Sequence, residues 1–227
     1  MKRYAPDRAI RRKATIGRIL SFGGMGILFA GFFISLNKPE LYNVVLFTML
    51  AGFFVSQTGL VLLNRWGRRP RVDELLDRGL KGLPGDYSIF HYLMGANHVL
   101  IGPVGVLVLL PYIIEGEILY QEGQWWQIRE RRGKKRRKKL KQFQVDVDVQ
   151  MNAARKFLRR FMEEEKLPPI RTVLVFLHPN STVHAADSDP PAVHLKKLKP
   201  FIRKMSRSPR IPPEVMAEIL SNLKQEG

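Results

Sequence analysis

The residues with the plainest chemical character lie between Arg129 and Lys141, where RERRGKKRRKKLK carries ten basic side chains in thirteen positions. Arg129, Arg131, Arg132, Lys134, Lys135, Arg136, Arg137, Lys138, Lys139 and Lys141 are therefore candidate polyanion-binding residues. Two partners suit such a run. The phosphates of a nucleic acid are neutralised by Lys and Arg with release of counterions. The headgroups of anionic lipids attract each basic residue near the surface by about 1 kcal/mol. Trp125 and Trp126, just upstream, could stack on bases or belong to a core. Like charges in a block repel one another, so the simplest expectation for the backbone here is a solvated, mobile loop.

Other constellations are weaker. His178, His184, Asp187, Asp189 and His194 are metal-capable types, yet they lack the helical or Cys-x-x-Cys spacing of a binding motif and read as a polar loop. His98, in an apolar run, reads as a satisfied core histidine. The stretch Asn97 to Gly116, NHVLIGPVGVLVLLPYIIEG, has no acidic residue before Glu115 and so no carboxylate pair to hold a metal. The absence of cysteine excludes disulfides, thiolate zinc sites and cysteine nucleophiles. Neither a metal nor a cofactor is expected. A net charge of +18 and a pI near 10.5 point to an anionic partner without choosing between lipid and nucleic acid.

The elements that would position these residues can be read from period and turn chemistry. Asn97–Ile101 and Val106–Leu110 are predicted strands joined by Gly102-Pro103-Val104-Gly105. Before them, Val72–Lys81 is a helix with Leu75, Leu76 and Leu80 inward and Asp73, Glu74, Asp77 and Arg78 towards solvent. Tyr87–Leu93 is a strand, and Glu117–Tyr120 with Gln124–Ile128 form a hairpin around Glu122-Gly123. After the basic run, Val149–Lys166 is an amphipathic helix lined by Met151, Ala154, Phe157, Leu158 and Phe161, stopped by Pro168-Pro169. Thr172–Leu177 is a buried strand expected to lie parallel to an earlier one. A polar loop, His178–Pro191, leads to a short edge strand at Ala192–Leu195. Leu198–Met205 and Pro213–Leu223 are helices.

The N-terminal third has a different character. Residues 1–18 form a basic tail in which Asp7 is the single acid. Ile19–Asn37 and Leu41–Asn64 are uncharged, and each is long enough to cross a bilayer. The first is too long for a signal-peptide core and lacks an Ala-x-Ala cleavage site, so a two-helix membrane hairpin over 19–64 is expected. Basic residues crowd both outer flanks, which places both termini and the soluble domain in the cytoplasm of an integral cell-membrane protein. Tyr42 and Trp66 suit the two interfaces. Small residues at Thr48, Gly52 and Ser56, and at Gly26 and Ala30, would let these faces pack on each other, on a second copy or on a membrane-protein partner. No ionisable residue lies inside either span, which favours an anchor over a transport path.

The order helix, three-stranded meander, helix, strand, together with HVLIGPVGVLVL, EGEI, GQWW, the helix holding Gln150 and VLVFLHP, resembles the nuclease-related domain, NERD. The resemblance covers about residues 72–204, with 129–141 as a basic insertion and 205–227 as a C-terminal helical tail. It implies an α/β fold similar to the restriction-endonuclease-like PD-(D/E)XK nucleases: a mixed sheet flanked by helices, here preceded by two transmembrane α-helices. In that family an aspartate precedes the histidine of the first strand and Glu-x-Lys ends the second. Those side chains hold a divalent cation and activate water. Laid over this chain without a gap, the three positions are Asn97, Leu110 and Tyr112. None is a carboxylate or a lysine, and a hard cation has nothing to bind.

Gln150 matches the family's helix glutamine and reads as a polar cap or surface residue, while Glu74 reads as a solvated helix residue. The expectation is thus a membrane-anchored NERD-like domain without nuclease chemistry, serving as a binding or scaffolding module for nucleic acid or anionic lipid. A divergent active nuclease, with carboxylates migrated to Glu115 or Glu117, and an accessory subunit of a membrane complex are the alternatives.

Overall fold

A computed structural model describes residues 1–131 and 133–205, and in the C-terminal stretch residues 214, 217, 219 and 221. The predicted helix Pro213–Leu223, most of the tail 205–227 and Arg132 lie outside the described residues. The chain divides into two units, one made of Met1–Ala5 with Val72–Gly227 and the other of Pro6–Arg71.

The first unit is mixed α/β with two sheets. Its elements are β1 (Lys2–Tyr4), α3 (Val72–Leu80), β2 (Ser88–Met94), β3 (Ala96–Gly102), β4 (Gly105–Tyr112), β5 (Gly116–Gln121), β6 (Gln124–Arg131), β7 (Lys134–Leu140), α4 (Gln142–Leu158), β8 (Ile170–Phe176), β9 (Ser181–His184), β10 (Ala192–His194) and α5 (Leu195–Met205). A six-stranded mixed sheet has the order β1-β2-β3-β4-β8-β10, and a four-stranded sheet the order β7-β6-β5-β9. The hairpin read from Gly and Pro is present: β3 and β4 pair antiparallel up to Gly102 opposite Gly105, whose φ of +106° suits only glycine. β8 lies parallel to β4, as a crossover through α4 requires, and β10 adds parallel to β8 at the edge of the sheet.

Alternation along the central strands separates two cores. Leu100, Leu107, Val173 and Val175 face α3 and α5, meeting Leu76, Leu80, Leu198 and Ile202. Val99, Val108, Leu110 and Phe176 face the opposite way, onto Phe143, Val147 and Leu158 of α4 and onto Ile118, Trp125 and Leu140 of the smaller sheet.

Several expectations are corrected. Most of the basic run is strand and not loop: Arg129–Arg131 end β6, and Lys134–Leu140 are β7, which pairs antiparallel with β6 from Arg131–Lys134 to Trp125–Leu140. Strand geometry sends successive cations to opposite faces, which relieves the repulsion, and Leu140 anchors the end in the core. The amphipathic helix starts at Gln142, well before Val149, because the loop expected up to Lys141 is an ordered strand ending at Leu140. The tail 1–18 is likewise ordered: Lys2–Tyr4 adds parallel to β2, and Arg8 to Arg18 belong to the helix that follows. Part of the supposed polar loop after His178 is β9, parallel to β5.

The second unit is a helical hairpin, α1 (Asp7–Asn37) and α2 (Tyr42–Leu62), joined by a short 3-10 turn and followed by a π-helical turn at Leu63–Gly67. Both helices are long and apolar enough to cross a bilayer. Large apolar side chains, Phe29, Phe47 and Phe54 among them, point outwards, while most buried positions are small: Gly17, Ser21, Gly24 and Gly31 beside Ile10 on α1, Gly52 and Gly59 beside Val45 on α2. A Cβ on Gly24 would lie 2.4 Å from the Ser56 nitrogen, and one on Gly52 2.9 Å from that of Leu28. Thr48, Gly52 and Ser56 thus pack on α1 of the same chain, the first of the arrangements expected for this face. Gly26, expected on the contact face, borders open space. The contact repeats every seven residues, Gly17-Gly24-Gly31 against Val45-Gly52-Gly59, as left-handed helix packing demands, so a four-residue reading of α1 selects the wrong side.

Candidate functional site

The three positions aligned with a nuclease centre do share one face of the central sheet. Leu110 and Tyr112 alternate on β4, and Asn97 stands two residues before Val99 on β3, so all three point towards α4. Their chemistry there is that of a core edge. Leu110 is 5% exposed among Val99, Val108 and Phe176. Asn97 is exposed, and its backbone N–H donates to Gln150 Oε1 at 2.8 Å, a strand partner that the sequence did not name for this glutamine. Tyr112 packs against Phe143 with ring centroids 4.4 Å apart and planes tilted by 46°, and its hydroxyl donates to Asp146 Oδ2 at 2.6 Å.

Burial, with the hydrogen bond to Asp146 and that carboxylate's charge, holds the Tyr112 phenol above its ordinary range, so it stays protonated. Asp146 was not expected: the helix that carries it was placed seven residues too late. Glu115 and Glu117, the proposed migrated carboxylates, are engaged elsewhere, Glu115 with Arg129 at 2.8 Å and Glu117 with His184 at 3.5 Å. Among the described residues no group of three or more His, Cys, Asp or Glu is arranged to hold a metal ion.

The basic strand offers a different surface. Every residue from Lys134 to Lys139 is exposed. Lys135, Arg137 and Lys139 stand opposite Glu130, Ile128 and Trp126 on one face, and Lys134, Arg136 and Lys138 stand opposite Arg131, Arg129 and Gln127 on the other. Arg137 lies over the Trp126 ring at 3.9 Å and donates to Gln121 at 3.2 Å, and Arg129 pairs with Glu115. Trp125 is 8% exposed and belongs to the core. Lys141 follows β7 and is exposed at the start of α4.

A second constellation escaped the sequence entirely. Asp73 and Asp77, expected in solvent, face inwards: Asp73 is 0% exposed. Arg3 of β1 donates through Nε to Asp77 Oδ2 at 2.7 Å and through its terminal nitrogen to Asp73 Oδ2 at 3.4 Å. His91 Nε2 lies 3.0 Å from Asp77 Oδ1, and its Nδ1 lies 2.8 Å from Nδ1 of His98, its cross-strand neighbour. With His91 donating to Asp77, its other nitrogen accepts from a neutral His98, the tautomer pair that this network assigns. No local signal could reveal it, since Arg3 and Asp77 are 74 residues apart.

Burial, and then repulsion from His91 whenever that ring is protonated, push His98 down to about 3 from an ordinary 6.5, against the opposing pull of Asp73 and Asp77. The unfolded chain therefore binds a proton there that the folded chain refuses. Stability is complete above the unfolded pKa and falls as pH drops from about 6.5 towards 3, by roughly 1 kcal/mol per pH unit. Thermal unfolding of the full chain in neutral detergent should show this acid slope, and His98→Gln should flatten it. Identical slopes in the two proteins would remove His98 as its source.

Comparison of the chain with family models, with curated proteins and with solved structures returns no match. The fold and site alone therefore define its class: a mixed α/β unit with a bare basic strand, joined to a hairpin of two apolar helices.

Proposed function

We propose that this chain is a membrane-anchored, NERD-like domain without a nuclease centre, which binds a polyanion through β7. The carrying observation is the state of the strand's cations. Lys134, Lys135, Arg136, Lys138 and Lys139 are exposed, and among the described residues none has an acidic partner. Five cations without an ion pair on one ordered strand, with Glu130 across the ladder from Lys135 as the one carboxylate directly opposite them, concentrate positive potential where a phosphate-bearing ligand would be drawn. The loss of catalysis rests on Leu110 buried in apolar core and on Tyr112 held protonated. Anchoring rests on the outward-facing apolar residues of α1 and α2. The chain passes from β1 into the hairpin and from the hairpin into α3, and β1 and α3 belong to one unit, which supports both ends emerging on the same side, the basic one.

Two measurements test this reading. Purified full chain in detergent should show no Mg²⁺- or Mn²⁺-dependent cleavage of DNA or RNA, and robust turnover would overturn the inactive assignment. Neutralising Lys134, Lys135, Arg136, Lys138 and Lys139 together should lower affinity for oligonucleotides or for anionic vesicles by about 100-fold or more at low salt. Binding left unchanged by the substitutions would remove β7 as the site.

A further inference from the structure

We infer that the polyanion is duplex DNA and that the β6–β7 ribbon enters its major groove, an inference that rests on the polyanion reading above and names its ligand. β5 pairs with β6 only as far as Ile128, so Arg129–Arg131 and Lys134–Arg136 form a ribbon of two strands without a third beside them. Of the bare cations, Lys134 and Arg136 lie on one face of this ribbon and Lys135 on the other, and Lys138 and Lys139 continue the same two faces where β5 also pairs with β6. A flat lipid surface meets one face of a ribbon. A groove has phosphates along both walls, and both sets of cations are then used.

The geometry also separates the nucleic acids. The major groove of B-form DNA is about 12 Å wide and admits a two-stranded β-ribbon, whereas that of A-form RNA is deep and narrow. Single strands are held by open aromatic faces on which bases stack. Here Trp125 is buried and Trp126 already carries Arg137 over its ring. Lysines aimed at the walls contact phosphate and not base edges, so the binding is independent of sequence.

Full chain in nanodiscs of neutral phosphatidylcholine would be titrated with duplex DNA, single-stranded DNA and duplex RNA of equal length, and with phosphatidylserine vesicles. Duplex DNA should bind at least about tenfold tighter than either other nucleic acid. If all five bare cations meet phosphates, the slope of log K against log salt should be about −4 to −5. K134Q/R136Q/K138Q should reduce that slope by about 3, and K135Q/K139Q by about 2. An effect confined to one of these variants would overturn the groove, and so would equal affinity for single strands or duplex RNA. Binding to vesicles with none to DNA would overturn the inference and leave the polyanion reading standing, while binding to no probe would remove both.

Discussion

Replacing Gly59 with alanine is expected to cost the helical hairpin roughly 3 kcal/mol, the upper end of what overpacking a close contact costs. The added Cβ would lie 2.2 Å from the Ser21 nitrogen and 2.8 Å from the Gly17 carbonyl oxygen. Both are backbone atoms of α1 and cannot rotate away, so the helices must separate over several turns. Separation forfeits the close contacts that hold helices together where lipid tails are as apolar as the side chains. Gly26→Ala is the control. It enters open space and should be neutral or stabilising by up to about 1 kcal/mol through helix propensity. Energy transfer between labels on two introduced cysteines, followed during titration with a denaturing detergent, would read the separation, since the chain has no cysteine of its own. Equal midpoints for the two variants would show that the small-residue contact does not hold the hairpin.

Phe143→Ala should be the most damaging single truncation in the α/β unit, at about 3–5 kcal/mol. Phe143 is 1% exposed and joins both sheets to α4: its ring centroid lies 4.4 Å from that of Tyr112, 5.3 Å from Trp125 and 5.8 Å from Phe176. Deleting it removes transfer energy and opens a cavity between layers that the strand ladders prevent from closing. Chemical unfolding of the full chain in detergent, followed by tryptophan emission, would measure the loss. A cost below about 1 kcal/mol would mean that the layers are not locked by this residue. Such a result would also weaken the account of Tyr112, whose protonated state depends on the same packing.

Much of this architecture was legible wherever the signal is local. Gly102-Pro103 and Gly105 mark the turn between β3 and β4, Glu122-Gly123 marks that between β5 and β6, and the apolar run after Pro169 is β8. The candidate site was legible only in part. Asn97, Leu110 and Tyr112 could be seen to lack metal-binding chemistry, and Gln150 lay within the expected helix, but Asp146 could not be placed beside Tyr112 because it sits in the part of that helix hidden behind the basic run. That run was recognised by composition and assigned to a loop, because charge repulsion was weighed without the alternation of a strand. Asp73 and Asp77 looked solvated because their helix pattern says nothing of an arginine in β1.

What the sequence determined by itself is therefore chemical and short-ranged: two uncharged spans, a strongly basic run, turns where glycine is required, and strands with no carboxylate pair. These follow from side-chain type, from the length of uncharged runs and from the two-residue period of strands, which neighbours along the chain are enough to express. The tertiary structure alone decided which face of each element meets a partner. It turned Gly24 and Gly59 into contact residues, buried Asp73 beneath Arg3, joined His91 to His98, closed the Tyr112 hydroxyl onto Asp146 and spread the lysines of β7 over two faces. Each of these depends on backbone segments distant in the chain being brought within a few ångströms, and pairing of that kind is set by the packing of the whole unit.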